Sequence, residues 1–573
     1  MKSLSCLNAY PSRRLPVFGR NGVATSHPLA AQAGLQMLRQ GGSAVDAAVA
    51  AAAVMTVVEP CSNGLGSDAF ALVWDGGQLQ GLNASGRAPL AWTPAYFSQR
   101  YGSAARRPPA RGWDSVTVPG AVSAWVALWE RHGRLPFQDL MAPAAEVAER
   151  GFAVPVVVQH KWAAAAAQPE LTSQPGFAQA FLPRGRAPEV GERFCLPGAA
   201  RTLRAIGASR GEAFYRGEIA QALVQAARGA GGALGLEDLS AHRADWVEPI
   251  GLDLLGHRVH ELPPNGQGIA ALIALGLLRE SGRLDELHSL PADDASAQHL
   301  QIEAMKLAFA DLYTHLADPA AMRVGVADLL DAGYLRERAR LISPDRAGDF
   351  GPGLVGRGGT IYLCAADERG QMVSFIQSNY MGFGSGIVVP GYGLSLQNRG
   401  HGFTLNPASD NLVGPGKRPF QTIIPAFLTK PGPRAARSAA PPPGGAVSSA
   451  GEATPTTVKP VMSFGVMGGD MQPQGHLQTV VRMLDYRQQP QAACDAPRWR
   501  YFGGTVNAEQ GFDPATAAGL AAMGHQIAPF TDSYQDYGAG QFIWRLDEGD
   551  GDPSVTGYAA ASDSRRDGQA AGY

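Results

Sequence analysis

A threonine at position 360 stands behind Arg357-Gly358-Gly359 and ahead of an alternating run, Ile361-Tyr362-Leu363-Cys364-Ala365-Ala366-Asp367. Such a residue has two possible roles. As an ordinary β-branched residue it opens a strand. If the backbone breaks before it, its freed α-amine lies close enough to take the proton of its own hydroxyl. A nucleophile then forms without a histidine or aspartate partner. The other chemistry-bearing patterns are weaker. His257 and His260 form an H-x-x-H in a strand-like run with no third ligand near in sequence, so they read as structural or surface groups. Cys6, Cys61, Cys195, Cys364 and Cys494 are scattered and odd in number, with no C-x-x-C pair. Neither a disulfide framework nor a zinc site follows, and no metal or cofactor is expected. Gly64-Leu65-Gly66 is a poor phosphate-binding signal, because no strand precedes it in the required order.

The elements that must hold Thr360 follow from composition, punctuation and periodicity. Only 17% of the 573 residues are charged while 71 are glycine, which favours close packing of small side chains. Apolar residues reach 45% at a net charge of −2, so the chain is not a disordered one. It has no basic excess to neutralise a phosphate backbone, which argues against nucleic acid. Met1 to Arg20 lacks the apolar core of a secretory signal. The most apolar run, Ala44 to Val58, falls short of the roughly 20 residues of a membrane span and reads as a buried helix. A soluble, cytoplasmic protein with no membrane partner is the expectation.

His27-Pro28 opens one helix and Gly41-Gly42 closes it. Ser43 to Asp46 then resembles a capping box for the next. Ala69 to Trp74 reads as a strand, Val118 to Leu223 as mostly helical, and Leu252 to Leu262 as one alternating strand. Helices are expected from Ile269 and over Ala295 to Ala317, and Gly351 to Gly359 reads as a flexible approach to Thr360. Beyond it come short alternating runs: Ile361 to Ala366, Met372 to Gln377, Gly393 to Gln397, Thr422 to Leu428 and Val461 to Val466. A turn at Glu368-Arg369-Gly370-Gln371 joins the first two, so an antiparallel sheet is expected to begin at Thr360. Lys430 to Pro460, rich in Pro, Ala, Gly and Ser, reads as a flexible surface loop between strands.

Taken in order, a series of short motifs resembles the γ-glutamyltranspeptidase family of N-terminal-nucleophile hydrolases across nearly the whole chain. They include Gly41-Gly42-Ser43-Ala44-Val45-Asp46, Glu59-Pro60-Cys61-Ser62-Asn63-Gly64, Ser85-Gly86-Arg87-Ala88-Pro89 and Leu262-Pro263-Pro264-Asn265-Gly266. Later come Pro415-Gly416-Lys417-Arg418-Pro419, Met467-Gly468-Gly469 and Ala561-Ser562-Asp563-Ser564. The resemblance implies an α+β fold, a four-layer αββα sandwich. It also implies a proenzyme that cuts itself once, between Gly359 and Thr360. The large segment 1–359 and the small segment 360–573, with its 430–460 loop, would stay together as one folded unit.

By the same resemblance Thr360 is the nucleophile, and Ser378 stands where a second threonine bonds it. Gly468 and Gly469 match the oxyanion-binding glycines, and Arg87 is the candidate for the substrate carboxylate. A structural ion pair is the other reading of Arg87. The remaining substrate positions depart from the family's pattern. Tyr380 stands where Asn is common, Arg399 where Gln or Glu is common, and Gln421-Thr422 where a Ser-Ser pair is common. Gly402 replaces an aspartate that holds the substrate's α-ammonium. The leading expectation is an autoprocessed amidase of the γ-glutamyltransferase/glutathione hydrolase kind acting on a small γ-glutamyl or similar amide. A glutaryl-type (cephalosporin) acylase is the alternative within enzymes. A non-catalytic ligand-binding member of the family is the alternative outside them.

Overall fold

Alternation along the strand Gly359–Ala366 sends its side chains to two different cores. Ile361, Leu363 and Ala365 pack among helices, whereas Tyr362, Cys364 and Ala366 face a second sheet. The computed structural model describes residues 13–350, 359–432, 458–529, 537–547 and 554–573. Over these the chain forms two seven-stranded sheets. The first runs Gln569–Gly572, Gly22–Thr25, Gly359–Ala366, Met372–Tyr380, Asp68–Asp75, Gln78–Asn83, Asp245–Val247. The second runs Val17–Gly19, Tyr558–Ser562, Ala539–Arg545, Val458–Met467, Ala426–Pro431, His257–Glu261, Ile250–Leu254. Every neighbouring pair in both is antiparallel. Strands from before and after Thr360 stand side by side in each sheet.

Helices cover the outer faces. Pro28–Arg39, Ala44–Val58 and Phe137–Arg150 lie over the first sheet; Gly268–Glu280, Ala295–His315 and Met471–Val480 lie over the second. The result is a four-layer αββα sandwich with a thin core between the sheets, built from Phe70, Leu72, Tyr362, Ile376, Phe427 and Ile543 among others. Ala44–Val58 is buried on every side, and small side chains let its neighbour come close. A Cβ at Gly34 would sit 3.0 Å from the Ala47 carbonyl oxygen. Its first turn is closed by the Ser43–Asp46 capping box.

Three readings of the sequence need correction. Leu252 to Leu262 is a hairpin, Ile250–Leu254 and His257–Glu261, turning at Leu255 and Gly256 with φ of 48° and 75°. A tight turn keeps the in–out alternation going, so the pattern alone does not reveal it. Thr422 to Leu428 is a strand only from Ala426. Before that, Gln421 is diverted to bond residues 265 and 267 through its backbone. The loop expected over Lys430 to Pro460 is shorter than it looked, because Lys430 and Pro431 pair with Lys459 and Val458. Its interior, residues 433–457, and the approach to Thr360, residues 351–358, lie outside the described residues.

Candidate active site

The first sheet carries a bulge at the position that matters. Gly359 faces Tyr380 and Ile361 faces Gln377, so Thr360 stands opposite two residues, Ser378 and Asn379. This brings Thr360 Oγ1 to 3.1 Å from Ser378 Oγ, both fully buried. Ser378 Oγ also accepts the Tyr380 N–H at 2.8 Å, which fixes its orientation. Tyr380 takes a left-handed φ of 78° to make that bond. Such a conformation costs a non-glycine residue about 1–3 kcal/mol and persists only where its surroundings impose it.

The second sheet delivers the glycine pair to the same end of the sandwich. Gly468 and Gly469 follow the strand Val458–Met467 with φ of 135° and 61°. A Cβ on Gly468 would lie 2.9 Å from the Gly538 Cα, so a larger residue has no room. The helix Met471–Val480 begins two residues later. Two devices hold this corner. Gln267 Nε2 donates to the carbonyls of Gly469 (2.9 Å) and Thr422 (2.6 Å), joining the glycine turn to the 421–422 segment. His476 accepts the Val466 N–H on Nε2 at 3.1 Å and donates from Nδ1 to Glu261 at 2.6 Å. Burial keeps His476 neutral, lowering it to about 3, and drives the Glu261 carboxyl upward.

Beside this corner lies a buried guanidinium. Arg399 is 1% exposed; its Nη1 donates to Thr422 Oγ1 at 2.7 Å, and its Cζ lies 4.6 Å from the centre of the Tyr380 ring. Among the described residues its Nε and Nη2 have no hydrogen-bond partner. Burial lowers the Arg399 pKa to about 10, a shift opposed by the charge of Asp68. Asp68 faces Ser378 in register across the sheet, accepts Gln421 Nε2 at 3.0 Å and the Gly86 N–H at 3.0 Å, and is raised to about 7 by burial, against the pull of Arg399. Tyr380, Arg399, Gln421 and Thr422 are thus brought together, with Thr360 and Ser378 next to them through Tyr380 and Asp68. A Cβ at Gly402 would come within 2.7 Å of the Phe420 carbonyl, so no carboxylate side chain fits there without backbone movement.

Arg87 is the expected residue that the structure does not bring to this group. Its guanidinium points outward, 44% exposed, to Asp245 at 3.3 Å, Asp318 at 3.8 Å and the Gly416 carbonyl at 3.2 Å. Two carboxylates already take its charge, and the ion-pair reading of Arg87 describes its geometry. Asp68 and Gln267 are the residues that sequence reading missed. The signal for Asp68 was an acid between Gly66 and a buried strand; the glycines drew attention instead. Gly64 and Gly66 serve close packing, since a Cβ on either would fall within 2.5 Å of Ser395 atoms. His260 bonds Thr429 and His257 the Leu255 carbonyl, so that pair is structural.

A buried cluster of His299, Glu303 and His525 has the composition of a cation site. Its atoms are already matched. The two rings share a hydrogen bond of 2.8 Å, His299 Nε2 donates to the Ser343 carbonyl, and Glu303 accepts Lys306 Nζ at 2.7 Å. A resident ammonium makes it unsuited to a second cation.

Tyr380, Gly402 and Asp470, the residue after Gly469, line a cavity of about 450 Å³. Among the described residues no helix is long and apolar enough to cross a membrane. The family model described as gamma-glutamyltranspeptidase matches residues 30–447 and 452–573, its break falling inside the Lys430 to Pro460 stretch. The oxamate amidohydrolase proenzyme of Klebsiella pneumoniae is 36% identical, over 96% of this chain and 98% of its own. The glutathione hydrolase-like YwrD proenzyme of Bacillus subtilis is 34% identical, over 83% and 84%. Among solved structures, the cephalosporin acylase from Bacillus halodurans superposes with a TM-score of 0.87 at 43% identity, covering 100% of this chain and 99% of that one.

Proposed function

The chain belongs to the γ-glutamyltranspeptidase family, and from that premise we propose that it matures at Gly359–Thr360 and hydrolyses amides whose acyl group ends in a carboxylate. It is an autoprocessed N-terminal-nucleophile amidase. The reading as a non-catalytic binding protein falls, because the matched relatives are named as hydrolases and acylases.

Maturation begins with Thr360 Oγ1 attacking the Gly359 carbonyl carbon. The C–N bond breaks, an ester forms, and water hydrolyses it to a Gly359 carboxylate and a Thr360 α-amine. That amine has a reference pKa of about 8 and works as a base near neutral pH. It takes the Oγ1 proton as Oγ1 attacks the substrate amide carbon. Ser378 orients the hydroxyl. Backbone N–H groups at Gly468 and Gly469 receive the developing oxyanion, where one lost donor costs roughly 100–1,000-fold. The leaving amine departs with the proton, and water or another amine then takes the acyl group from Thr360.

The acyl specificity rests on a single observation: Arg399 is buried with Nε and Nη2 unpartnered. That edge of a guanidinium matches a carboxylate with two parallel hydrogen bonds, and Thr422 braces the opposite nitrogen. Gly402 itself has no side-chain carboxylate to offer an α-ammonium. Glutaryl and shorter carboxylated acyl groups therefore suit the pocket better than γ-glutamyl, which favours the acylase reading. The relative named for oxamate acts on an amide of this kind. The test measures kcat/KM for glutaryl, γ-glutamyl and uncharged butyryl anilides on processed enzyme. Glutaryl is expected to lead, with butyryl about 100-fold or more behind. A γ-glutamyl lead above about a thousandfold overturns the acyl assignment. Intact mass of wild type and Thr360→Ala tests maturation: two chains are expected for the first, one folded chain for the second.

A further inference from the structure

We propose that His476 and Glu261 are positioning residues for the oxyanion turn: together they brace the strand that enters it against the helix that leaves it, and so act on turnover rather than on substrate binding. The inference rests on the reaction proposed above. Gly468 and Gly469 join the strand Val458–Met467 to the helix Met471–Val480. The helix end of the turn is fixed locally, because the Met471 and Gln472 N–H groups donate to the Gly468 and Gly469 carbonyls at 3.1 and 3.2 Å. The strand end has sheet support on one side only. Its pairing with Ala426–Pro431 stops at Phe464, while that with Ala539–Arg545 runs on to Met467. Val466 stands opposite Gly540, which gives its own N–H and carbonyl to Asp563, so this pair exchanges no hydrogen bonds. The Val466 N–H therefore faces the side from which the neighbouring strand has turned away, and His476 Nε2 accepts it at 3.1 Å. One bond thus crosses from the strand arm to the helix arm and closes a ring around the two glycines.

The surroundings of this bond serve it. A glycine inside a helix costs about 1 kcal/mol relative to alanine. Gly475 lies in the middle of this helix, and a Cβ there would fall 2.6 Å from Val466 Cγ1 and 2.7 Å from Val466 Cβ. The missing side chain lets the helix settle onto Val466, so that its next residue, His476, reaches the strand backbone. Gln472, one turn earlier on the same face, does the matching task for the diverted segment and accepts the Ile424 N–H at 3.0 Å. Glu261 fixes the tautomer. With Nε2 accepting, the imidazole proton lies on Nδ1, and Glu261 Oε1 receives it at 2.6 Å. Imidazole and carboxyl are both fully buried, a costly choice where an apolar pair would fill the same space. Neither residue lines the cavity beside Tyr380, so contact with substrate does not account for them. The aim of two backbone donors does. Oxyanion donors must lie about 2.7–3.1 Å from the position where the charge develops, and a strand end free to swing would carry them off it.

The experiment separates kcat from KM on processed enzyme, with whichever acyl anilide wild type turns over fastest. His476→Leu should lower kcat about 30-fold or more and leave KM within about twofold, because acylation and deacylation pass through the same oxyanion. A boronic acid carrying the same acyl chain gives a second readout. Its boron takes Thr360 Oγ1 as a fourth ligand, and an oxygen of the adduct stands where the oxyanion forms. Its Ki should rise by the factor that kcat falls, within about threefold. His476→Gln keeps an acceptor for Val466 and should recover most of kcat; Glu261→Gln keeps the acceptor for Nδ1 and should far exceed Glu261→Leu. Gly475→Ala keeps the pair, lifts the helix from Val466 and should cost about tenfold in kcat at unchanged KM. It decides the matter if His476→Leu does not fold. Wild-type kcat in Gly475→Ala, or in folded His476→Leu, overturns the proposal. So does a loss carried by KM, or a boronate Ki that stays put while kcat falls, since the pair would then support the fold alone. A wrong assignment of Arg399 would change which acyl group is best, and would leave every ratio of variant to wild type untouched.

Discussion

The two arginines offered for carboxylate recognition sit in opposite surroundings. Arg87 lies at the rim, half in water, with Asp245 and Asp318 already on its guanidinium. Arg399 is enclosed, with one nitrogen on Thr422 and two without a partner. Arg87 sits in a family-like motif and Arg399 departs from the family's pattern, and only Arg399 has donors to give. An exposed pair contributes little, about 0–1 kcal/mol, whereas a buried charge with unmet hydrogen bonds is costly until something fills it. Donor accounting, rather than motif position, separates the anchor from the ornament.

The comparison breaks most decisively at Arg399. Arg399→Leu should lower kcat/KM for a glutaryl anilide by about 100-fold or more, leave an uncharged acyl anilide within a few-fold, and still allow self-cleavage. Equal losses on both substrates would make Arg399 a structural residue. Asp68 sharpens the contrast through pH. Its folded pKa, about 7, lies above its ordinary 3.8, so the folded state holds this proton longer than the unfolded one. Its contribution to stability is therefore flat below about pH 4, falls between about 4 and 7, and is flat again above. Above 7 its charge also competes with a substrate carboxylate for Arg399. KM for the glutaryl anilide should rise about threefold to tenfold from pH 6 to 8, and Asp68→Asn should flatten both that rise and the fall in Tm. A KM profile unchanged by Asp68→Asn would place the carboxyl outside the substrate's field. The smallest effect belongs to Arg87→Ala: kcat/KM within about twofold and stability lowered by less than about 1 kcal/mol. Asp245 keeps its buried partner Arg418 at 2.7 Å in that variant. A hundredfold activity loss there would reverse the roles of the two arginines.

The proposed reaction centre was more legible in the sequence than the proposed recognition group around Arg399. Thr360 announces itself by local signals, glycines before it and period-two alternation after it, and Ser378 follows one hairpin later. The glycine pair reads well because a tight turn between strand and helix leaves few residue choices. Arg399 was visible as a departure from pattern, and as a group hostile to an ammonium. Its unpartnered edge depends on burial and on Thr422, 23 positions away in sequence. Asp68 and Gln267 stayed hidden because their partners, Gln421, Thr422 and Gly469, come from distant segments. The hairpin at Leu255-Gly256 shows a related limit: alternation records which face a residue takes, and a reversal of chain direction need not disturb it.

The interleaving of strands from either side of Thr360 bears on how long the enzyme lasts. Gly359–Ala366 is hydrogen-bonded between Gly22–Thr25 and Met372–Tyr380, and the final strand Gln569–Gly572 closes on Gly22–Thr25. A single precursor chain can find that arrangement because its pieces are tethered. Once the peptide bond is cut, the fragments still hold each other, yet the tether that brought them into register is gone. Heating the mature enzyme would therefore discard assembly instructions that no fragment retains. Its lifetime is set by the barrier to opening rather than by a reversible balance, so each molecule has one native life.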